Sequence, residues 1–264
     1  MPLLSFASPK GGVGKTTLTA NVGHELQRLG WQVVALDFDV QNSLRLHFGM
    51  PLSDLRGFAP VAYREQDWRS LMFETESGLL LLPFGSLSNA ESIEFETFLA
   101  RHAGWLTERM QLFFEAPDVL VLVDLPPGPS VYLDAVAEVA DLHIAVLLSD
   151  ATSIALLPRI EAGEFYTGPM RRATGPVRYV LNQVDIRRRL SRDVLTVLRA
   201  RLRERLIGSV YRDESVPEAI ASQKLVGDFA PSSKASFDFA EIAQQIDGLL
   251  LGGSGRTTTA RLAT

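Results

Sequence analysis

The segment from residue 8 to residue 17 combines glycines with lysine and hydroxyl side chains, the residue types that bind a polyphosphate. It follows a short apolar run and reads Ser8-Pro9-Lys10-Gly11-Gly12-Val13-Gly14-Lys15-Thr16-Thr17. Glycines let backbone N–H groups approach phosphate oxygens without obstruction by side chains. A helix that starts at Lys15 would direct its N–H groups and its positive dipole end at the same anion. The segment therefore predicts a phosphate-binding loop, with Lys15 near the β and γ phosphates and the Thr16 hydroxyl on Mg²⁺.

Two acidic segments follow other apolar runs. One reads Asp37-Phe38-Asp39-Val40-Gln41-Asn42, and the other reads Asp124-Leu125-Pro126-Pro127-Gly128 after the run Val121-Leu122-Val123. Ligands of open α/β sheets bind at the carboxyl ends of the strands, where these carboxylates would lie. A buried strand that ends in one carboxylate can hold Mg²⁺ through water.

The loop departs from the strict Walker A pattern, because Pro9 stands where that pattern has its first glycine. The order Lys10-Gly11-Gly12 before Val13-Gly14-Lys15-Thr16 resembles the deviant Walker A loop of the ParA/MinD family of ATPases. The resemblance implies an ATP hydrolase, slow and dependent on dimerisation, that uses Mg-ATP. It also implies that Lys10 reaches the nucleotide of the second subunit in an ATP-dependent homodimer. The residues expected to contact the nucleotide phosphates are Lys10, Gly11, Gly12, Val13, Gly14, Lys15, Thr16 and Thr17.

The acidic segments resemble further motifs of that family. Residues 37–42 are similar to switch I, and residues 121–128 to the Walker B strand and switch II. The resemblance implies that Asp37 and Asp124 hold water on the Mg²⁺ that Thr16 ligates, and that Asp39 orients the attacking water. Val40 stands where the family has proline, a change in loop stiffness that removes no chemical group.

Two later segments concern the adenine base. Residues 181–185 resemble the family's Asn-x-x-Asp segment, and the Asn182 amide offers the adenine edge both a donor and an acceptor. The alternative is an asparagine that only closes a turn. Residues 211–216 match a family loop beside the base, which makes Arg212 and Asp213 candidate contacts.

Strand and helix patterns alternate along the chain, which predicts an α/β fold. Short apolar runs, typical of strands buried on both faces, occur at Leu3–Ala7, Gln32–Asp37, Leu79–Pro83, Val119–Asp124, Leu142–Leu148, Val177–Asn182 and Leu206–Tyr211. Helical patterns span Lys15–Leu29, Ser92–Phe114, Ala151–Glu164, Ser191–Arg205, Val216–Ser222 and Ser236–Leu250. We therefore expect a doubly wound, mostly parallel sheet with helices on both faces. The expected domain covers residues 1–251, and residues 252–264 form a flexible tail.

Composition excludes several classes of protein. The 264 residues contain no cysteine, which excludes disulfides, thiolate catalysis and cysteine-held iron–sulfur clusters. The net charge of −5 argues weakly against affinity of the whole surface for DNA or anionic lipid. We expect no signal peptide and no transmembrane helix, and hence a cytoplasmic protein. No zinc-like spacing connects the histidines, which are His24, His47, His102 and His143.

A basic helix is predicted near the end of the chain. Its arginines are Arg187, Arg188, Arg189, Arg192, Arg199, Arg201, Arg203 and Arg205, opposed within that window only by Asp193 and Glu204. Apolar residues recur every four positions at Leu190, Val194, Leu198, Leu202 and Leu206, which predicts an amphipathic helix with a basic outer face. That face is open to three interpretations: a solvated or protein-docking surface, a DNA-binding surface, or an anionic lipid surface.

A wider resemblance extends over about residues 1 to 250. The segments at residues 66–69, 81–88 and 212–227 resemble the cellulose-biosynthesis branch of the family, the BcsQ proteins. This resemblance implies a role in assembling or localising a membrane-embedded cellulose synthase. The expected partners are a small companion protein and other subunits of the secretion complex, which would recruit the chain to the inner membrane. The alternative function is that of a ParA-like partitioning ATPase that binds nonspecific DNA. A nucleotide-binding scaffold without hydrolysis is disfavoured, since every expected phosphate and magnesium position carries a competent residue.

Overall fold

The computed structural model describes residues 2–62, 67–102, 104–111, 119–163 and 175–254. Its strands are β1 (Leu3–Ala7), β2 (Gln32–Asp37), β3 (Phe73–Glu74), β4 (Leu80–Leu82), β5 (Val119–Asp124), β6 (Leu142–Leu148), β7 (Val177–Val184) and β8 (Leu206–Tyr211). Within these residues they form one sheet in the order β3-β4-β2-β5-β1-β6-β7-β8. Neighbouring strands run parallel, apart from the antiparallel edge pair β3–β4.

Helices cover both faces of the sheet, as predicted. They are α1 (Lys15–Arg28), α2 (Asn89–Arg101), α3 (Trp105–Met110), α4 (Val131–Ala137), α5 (Ala151–Glu161), α6 (Arg189–Leu202), α7 (Ser215–Ala221), α8 (Val226–Phe229) and α9 (Lys234–Ser254). Side chains of α1, α7, α8 and α9 pack in one core layer, and those of α2 to α6 pack in the other. None of the helices in the described ranges is long and apolar enough to cross a membrane.

The central strand β5 shows why the sheet is buried on both sides. All six of its residues are buried, and alternate side chains point to opposite faces of the sheet. Val121 and Val123 join the layer of α2 to α6, whereas Leu120 and Leu122 join the layer of α1 and α9. The apolar run leaves a polar side chain only at Asp124, where the strand ends.

The predicted helix Ser92–Phe114 is wrong as a single element. A capping box between Ser88 and Glu91 starts α2 three residues earlier than predicted. The helix ends at Arg101, and α3 begins after Gly104, a residue whose missing side chain disfavours helix continuation. Phe114 itself lies outside the described residues, as do Gln66 and Glu164, two other positions used in the sequence analysis.

Other differences lie at the ends of elements. Helix α4 was not predicted, although Ser130 provides a cap signal by accepting the Leu133 N–H at 3.1 Å. The last helix continues to Ser254, three residues beyond the expected domain end, and residues 255–264 lie outside the described ranges. The irregular region from Gly49 to Gly78 contains 3₁₀ turns and the two-residue strand β3.

Candidate active site

The predicted phosphate loop joins β1 to α1 and borders a cavity of about 310 Å³. Gly12 and Gly14 have φ of +73° and +79°, the left-handed region that favours glycine. A Cβ on Gly14 would also lie 2.3 Å from Asn182 Nδ2. No side chain caps the start of α1, so its first N–H groups are available to an anion. The cavity is lined by Ser8, Gly11, Gly12, Val13, Gly14, Lys15, Thr16, Asp39, Gln41, Ser43 and Pro127.

The carboxylate at the end of β5 meets the loop side chains directly. Lys15 Nζ donates to Asp124 Oδ1 at 2.7 Å, and Thr16 Oγ1 donates to Asp124 Oδ2 at 2.7 Å. Thr19 Oγ1 also donates to Asp124 Oδ1 at 3.1 Å. The sequence analysis missed Thr19, although its position four residues after Lys15 places both on one face of α1. The tertiary fold thus brings Asp124, which the sequence predicts as a magnesium carboxylate, into hydrogen-bonding contact with Lys15 and Thr16.

Asp37 is fully buried at the end of β2, beside β5. Burial raises the pKa of Asp37 well above its usual value, and the nearby charge of Asp124 raises it further. Backbone N–H groups of Asp39 and Leu44 each donate to its carboxylate at 3.0 Å. Two neighbouring buried carboxylates fit a cation, which would offset their repulsion. The part of the chain that the structure describes has no cluster of three His, Cys, Asp or Glu suited to a metal. The donor set fits Mg²⁺, which binds through few protein ligands and keeps several waters.

Asp39 forms part of the wall of the same cavity. Its side chain is mostly buried, and its Oδ1 accepts the Gln41 N–H at 3.0 Å. Burial raises the pKa of this carboxyl. The structure therefore places the Asp39 carboxylate in the wall of the cavity that the phosphate loop borders.

Lys10 does not join the cavity of its own chain. Its ammonium group forms an ion pair with Asp150, the residue that caps α5. Burial acts to raise the pKa of Asp150, but hydrogen bonds from Lys10 and Ser153 outweigh it and leave that pKa lowered. The lysine is thus held at the protein surface beside the loop.

A second cavity, of about 340 Å³, adjoins the loop on the side of β7 and β8. It contains all three residues predicted near adenine, Asn182, Arg212 and Asp213. Asp213 accepts the N–H groups of Ser215 at 2.9 Å and Ala235 at 3.2 Å, and so fixes the cavity wall. Arg212 lies at the rim, with its side chain about half exposed and 3.4 Å from Glu214.

Asn182 makes contacts that the sequence did not predict. Its Nδ2 donates to the Val13 carbonyl at 2.7 Å, and its Oδ1 accepts the Gln183 N–H at 2.9 Å. Gln183, which the sequence analysis missed, donates through Nε2 to the Gly12 carbonyl at 3.2 Å and has φ of +53°. The end of β7 therefore holds the phosphate loop through two of its carbonyls.

These contacts predict the effect of Asn182→Ala. The substitution should weaken ATP and pyrophosphate binding by a similar factor, about tenfold, because a hydrogen bond that orders the loop is lost. Calorimetric titration with both ligands measures the two losses. Equal ATP affinity in mutant and wild type would contradict the loop-holding role, and a loss confined to ATP would restrict Asn182 to base contact.

The arginine-rich segment from residue 187 to residue 205, which contains α6, carries less free charge than its sequence indicates. Arg187 pairs with Asp185 at 2.9 Å, and Arg201 and Arg205 pair with Glu161 at 2.6 and 2.7 Å. Both acidic residues lie outside the window from residue 187 to 205. The predicted apolar face is also partly wrong, since Leu190 is 53% exposed and Leu195 takes its place in the core.

Comparison with known proteins assigns the chain to a family. The family model described as "Cellulose biosynthesis protein BcsQ" matches residues 1–246. The chain belongs to the BcsQ family. The BcsQ protein of Escherichia coli K12 is 27% identical over 258 residues, covering 98% of each chain. The ParA family protein pGP5-D of the Chlamydia trachomatis virulence plasmid is also 27% identical, covering 95% of each chain.

Solved structures confirm the fold of this BcsQ family member. The septum site-determining protein MinD of Pyrococcus horikoshii, solved with Mg-ADP, has a TM-score of 0.74 at 20% identity and covers 94% of this chain and 97% of its own. The cobyrinic acid a,c-diamide synthase of Mycobacterium smegmatis, solved with an ATP analogue and magnesium, has a TM-score of 0.71 at 23% identity and covers 97% of each chain. The doubly wound sheet is therefore the fold that this MinD protein and the cobyrinic acid a,c-diamide synthase also have.

Proposed function

We propose that this BcsQ family member is an ATP-dependent dimeric switch that hydrolyses Mg-ATP slowly. The observation that carries the proposal is that Lys15 and Thr16 line one cavity together with Asp39, and that both donate hydrogen bonds to Asp124. Phosphoryl transfer depends on positioning and on neutralising charge, which this set of groups supplies. The MinD and cobyrinic acid synthase structures were solved with magnesium and adenine nucleotides, which supports ATP and Mg²⁺ as the ligands.

Each group has a definite role in this proposal. The loop amides and Lys15 bind the β and γ phosphates, and the base occupies the second cavity beside Asn182. Thr16 contributes its hydroxyl to Mg²⁺, and the carboxylates of Asp37 and Asp124 hold waters of that ion. Asp39 accepts a hydrogen bond from the water that attacks the γ-phosphate.

The position of Lys10 supports a dimer with ATP between the subunits. In the single chain its ammonium group lies against Asp150, outside the phosphate cavity. Lys10 does not line the cavity of its own chain, and in the proposed dimer it leaves Asp150 and completes the site of a second copy. Binding of ATP would then hold the dimer, and hydrolysis would release it.

We further propose that the switch supports assembly or localisation of a bacterial cellulose synthase complex. The family match over residues 1–246 supports this role. The partners would be a small companion protein and other subunits of the secretion complex, which would bring the chain to the inner membrane. Nucleotide-gated contacts with those subunits are its expected output.

The expected result of deleting the gene from its host is a loss of cellulose, measured by dye binding. Wild-type protein should restore the cellulose, and Lys15→Gln should fail, because the switch needs nucleotide. Restoration by a variant that binds no ATP would contradict a nucleotide-driven role.

A ParA-like DNA-binding function is the alternative, and the pairing of Arg187, Arg201 and Arg205 with acidic residues weighs against it. The matched assay is binding of the ATP-loaded dimer to random duplex DNA over a salt series. We expect no binding at physiological salt. Tight, strongly salt-dependent binding that disappears when Arg189, Arg199 and Arg203 become Glu would favour DNA partitioning instead.

A further inference from the structure

The chain turns sharply just after Asp39, and Asn42 is the residue that fixes this turn. Its N–H donates to the Asp39 carbonyl at 2.8 Å, and its backbone has φ of +47°, which asparagine tolerates better than most residues. The Asn42 side chain is buried with an exposed fraction of 6%. Its Oδ1 accepts the Phe84 N–H at 3.1 Å. A side chain three residues from Asp39 is therefore bonded to a distant backbone segment.

The segment that receives Asn42 is rigidly packed. The carbonyls of Pro83 and Phe84 accept the N–H groups of Phe58 at 3.2 Å and Ala59 at 3.0 Å. A Cβ on Gly57 would lie 2.1 Å from the Gly85 nitrogen, so the two backbones are in direct contact. Residues 83–85 belong to the segment 81–88 that resembles the BcsQ proteins in sequence. The structure shows them as a fixed support.

Phe38 attaches the same turn to the same support. Phe38 stands between Asp37 and Asp39 in the sequence. Its ring packs against the ring of Phe58, with centroids 5.3 Å apart, and against the ring of Tyr132, with centroids 6.0 Å apart. The aromatic contact holds the start of the turn, and the Asn42 hydrogen bond holds its end. The residues on both sides of Asp39 therefore contact the same buried region around Phe58 and Phe84.

From this geometry we propose that Asn42 is a positioning residue for Asp39: its hydrogen bond to the Phe84 N–H holds the Asp39 carboxylate at the phosphate cavity. The proposal rests on the proposed ATP hydrolysis for its catalytic consequence. Asn42 touches neither nucleotide nor water in this assignment and acts only through the turn. Its loss should lower the rate of hydrolysis and leave nucleotide binding intact, because the loop that binds phosphate is held elsewhere by Asn182.

The test is Asn42→Gly, since glycine adopts the left-handed backbone and removes the carboxamide whose oxygen accepts the Phe84 N–H. We expect kcat for ATP hydrolysis to fall about tenfold or more, because small misplacement of a catalytic group is costly. Affinity for a non-hydrolysable ATP analogue should stay within about twofold of wild type by the same reasoning. Hydrogen exchange at the Phe84 amide should become faster, since that N–H loses its partner.

Gln223→Gly is the matched control. Gln223 also has a left-handed backbone, with φ of +51°, and its Nε2 donates to the Met50 carbonyl at 3.1 Å, beyond the turn. This control should leave kcat and exchange at Phe84 unchanged. An Asn42→Gly enzyme with wild-type kcat, or an unchanged Phe84 exchange rate, would overturn the proposal. A wild-type protein without hydrolysis would refute the proposed function instead, and the exchange measurement would still decide whether Asn42 holds the turn.

Discussion

Lys15→Gln is expected to weaken ATP binding by about a hundredfold or more, equivalent to about 2.7 kcal/mol. Lys15 is the only lysine that lines the phosphate cavity within the described residues. In the proposed function its ammonium group faces the β and γ phosphates, and its side chain is mostly buried. A desolvated positive charge beside a polyphosphate is worth far more than a charge in water. Fluorescence titration with a labelled ATP analogue measures the loss.

Glutamine is chosen to replace Lys15 because the mutant protein must still fold. Lys15 neutralises the buried Asp124, and leaving a buried carboxylate unpaired costs about 3–5 kcal/mol, so Lys15→Ala also risks the fold. Glutamine keeps a donor toward Asp124 while removing the charge. Lys224→Gln is the control, since Lys224 lies in a different cavity, beside His47. A folded Lys15→Gln protein with wild-type ATP affinity would refute the assignment of the phosphate loop.

Asp39→Ala is expected to lower kcat about a hundredfold while leaving a stable ATP-bound dimer. The Asp39 carboxylate lines the phosphate cavity and accepts the Gln41 N–H, whereas Lys15 and Thr16 donate to Asp124, so removal of Asp39 should spare binding. Phosphate release measures turnover, and light scattering after gel filtration measures the dimer. Burial raises the pKa of Asp39, so this carboxylate becomes protonated at a higher pH than an exposed aspartate. As the pH falls, wild-type turnover should therefore begin to decline at that higher pH.

Two variants separate the charge of Asp39 from its part in the turn. Asp39→Asn keeps an oxygen that can accept the Gln41 N–H, now 3.0 Å from Oδ1, but removes the negative charge. It should be as inactive as Asp39→Ala if the carboxylate positions water. Asp54→Ala, on the exposed loop beyond, should hydrolyse ATP normally. Rapid ATP turnover by Asp39→Ala would contradict the role of Asp39 in positioning the attacking water.

Local chemistry made the phosphate loop predictable. Gly12, Gly14, Lys15 and Thr16 lie within five consecutive residues, and the positive φ at Gly12 and Gly14 favours glycine at those two positions. The strands were equally predictable. Both faces of the sheet are buried, so its strands have continuous apolar sequences such as Val119–Val123. The ends of helices were less predictable, because the sequence does not distinguish capping residues such as Ser88 and Ser130 from the many other serines.

Charge on the surface could not be judged from a window of sequence. Glu161 lies 40 residues before Arg201, yet it pairs with both Arg201 and Arg205 across the contact between α5 and α6. The apparent arginine excess of α6 is therefore reduced by packing. Leu190 shows the same limit, because its spacing fits the buried face although it lies at the exposed start of the helix.

The sequence by itself determined the family, the alternating α/β order and the phosphate loop, because these depend on residues close together in the chain. The tertiary structure alone decided which distant groups meet: Asp124 with Lys15, Asn182 with the Val13 carbonyl, Lys10 with Asp150, and Asn42 with Phe84. Each of these pairs spans more than 40 residues. Their meeting depends on the order of strands in the sheet, which local residue patterns do not encode.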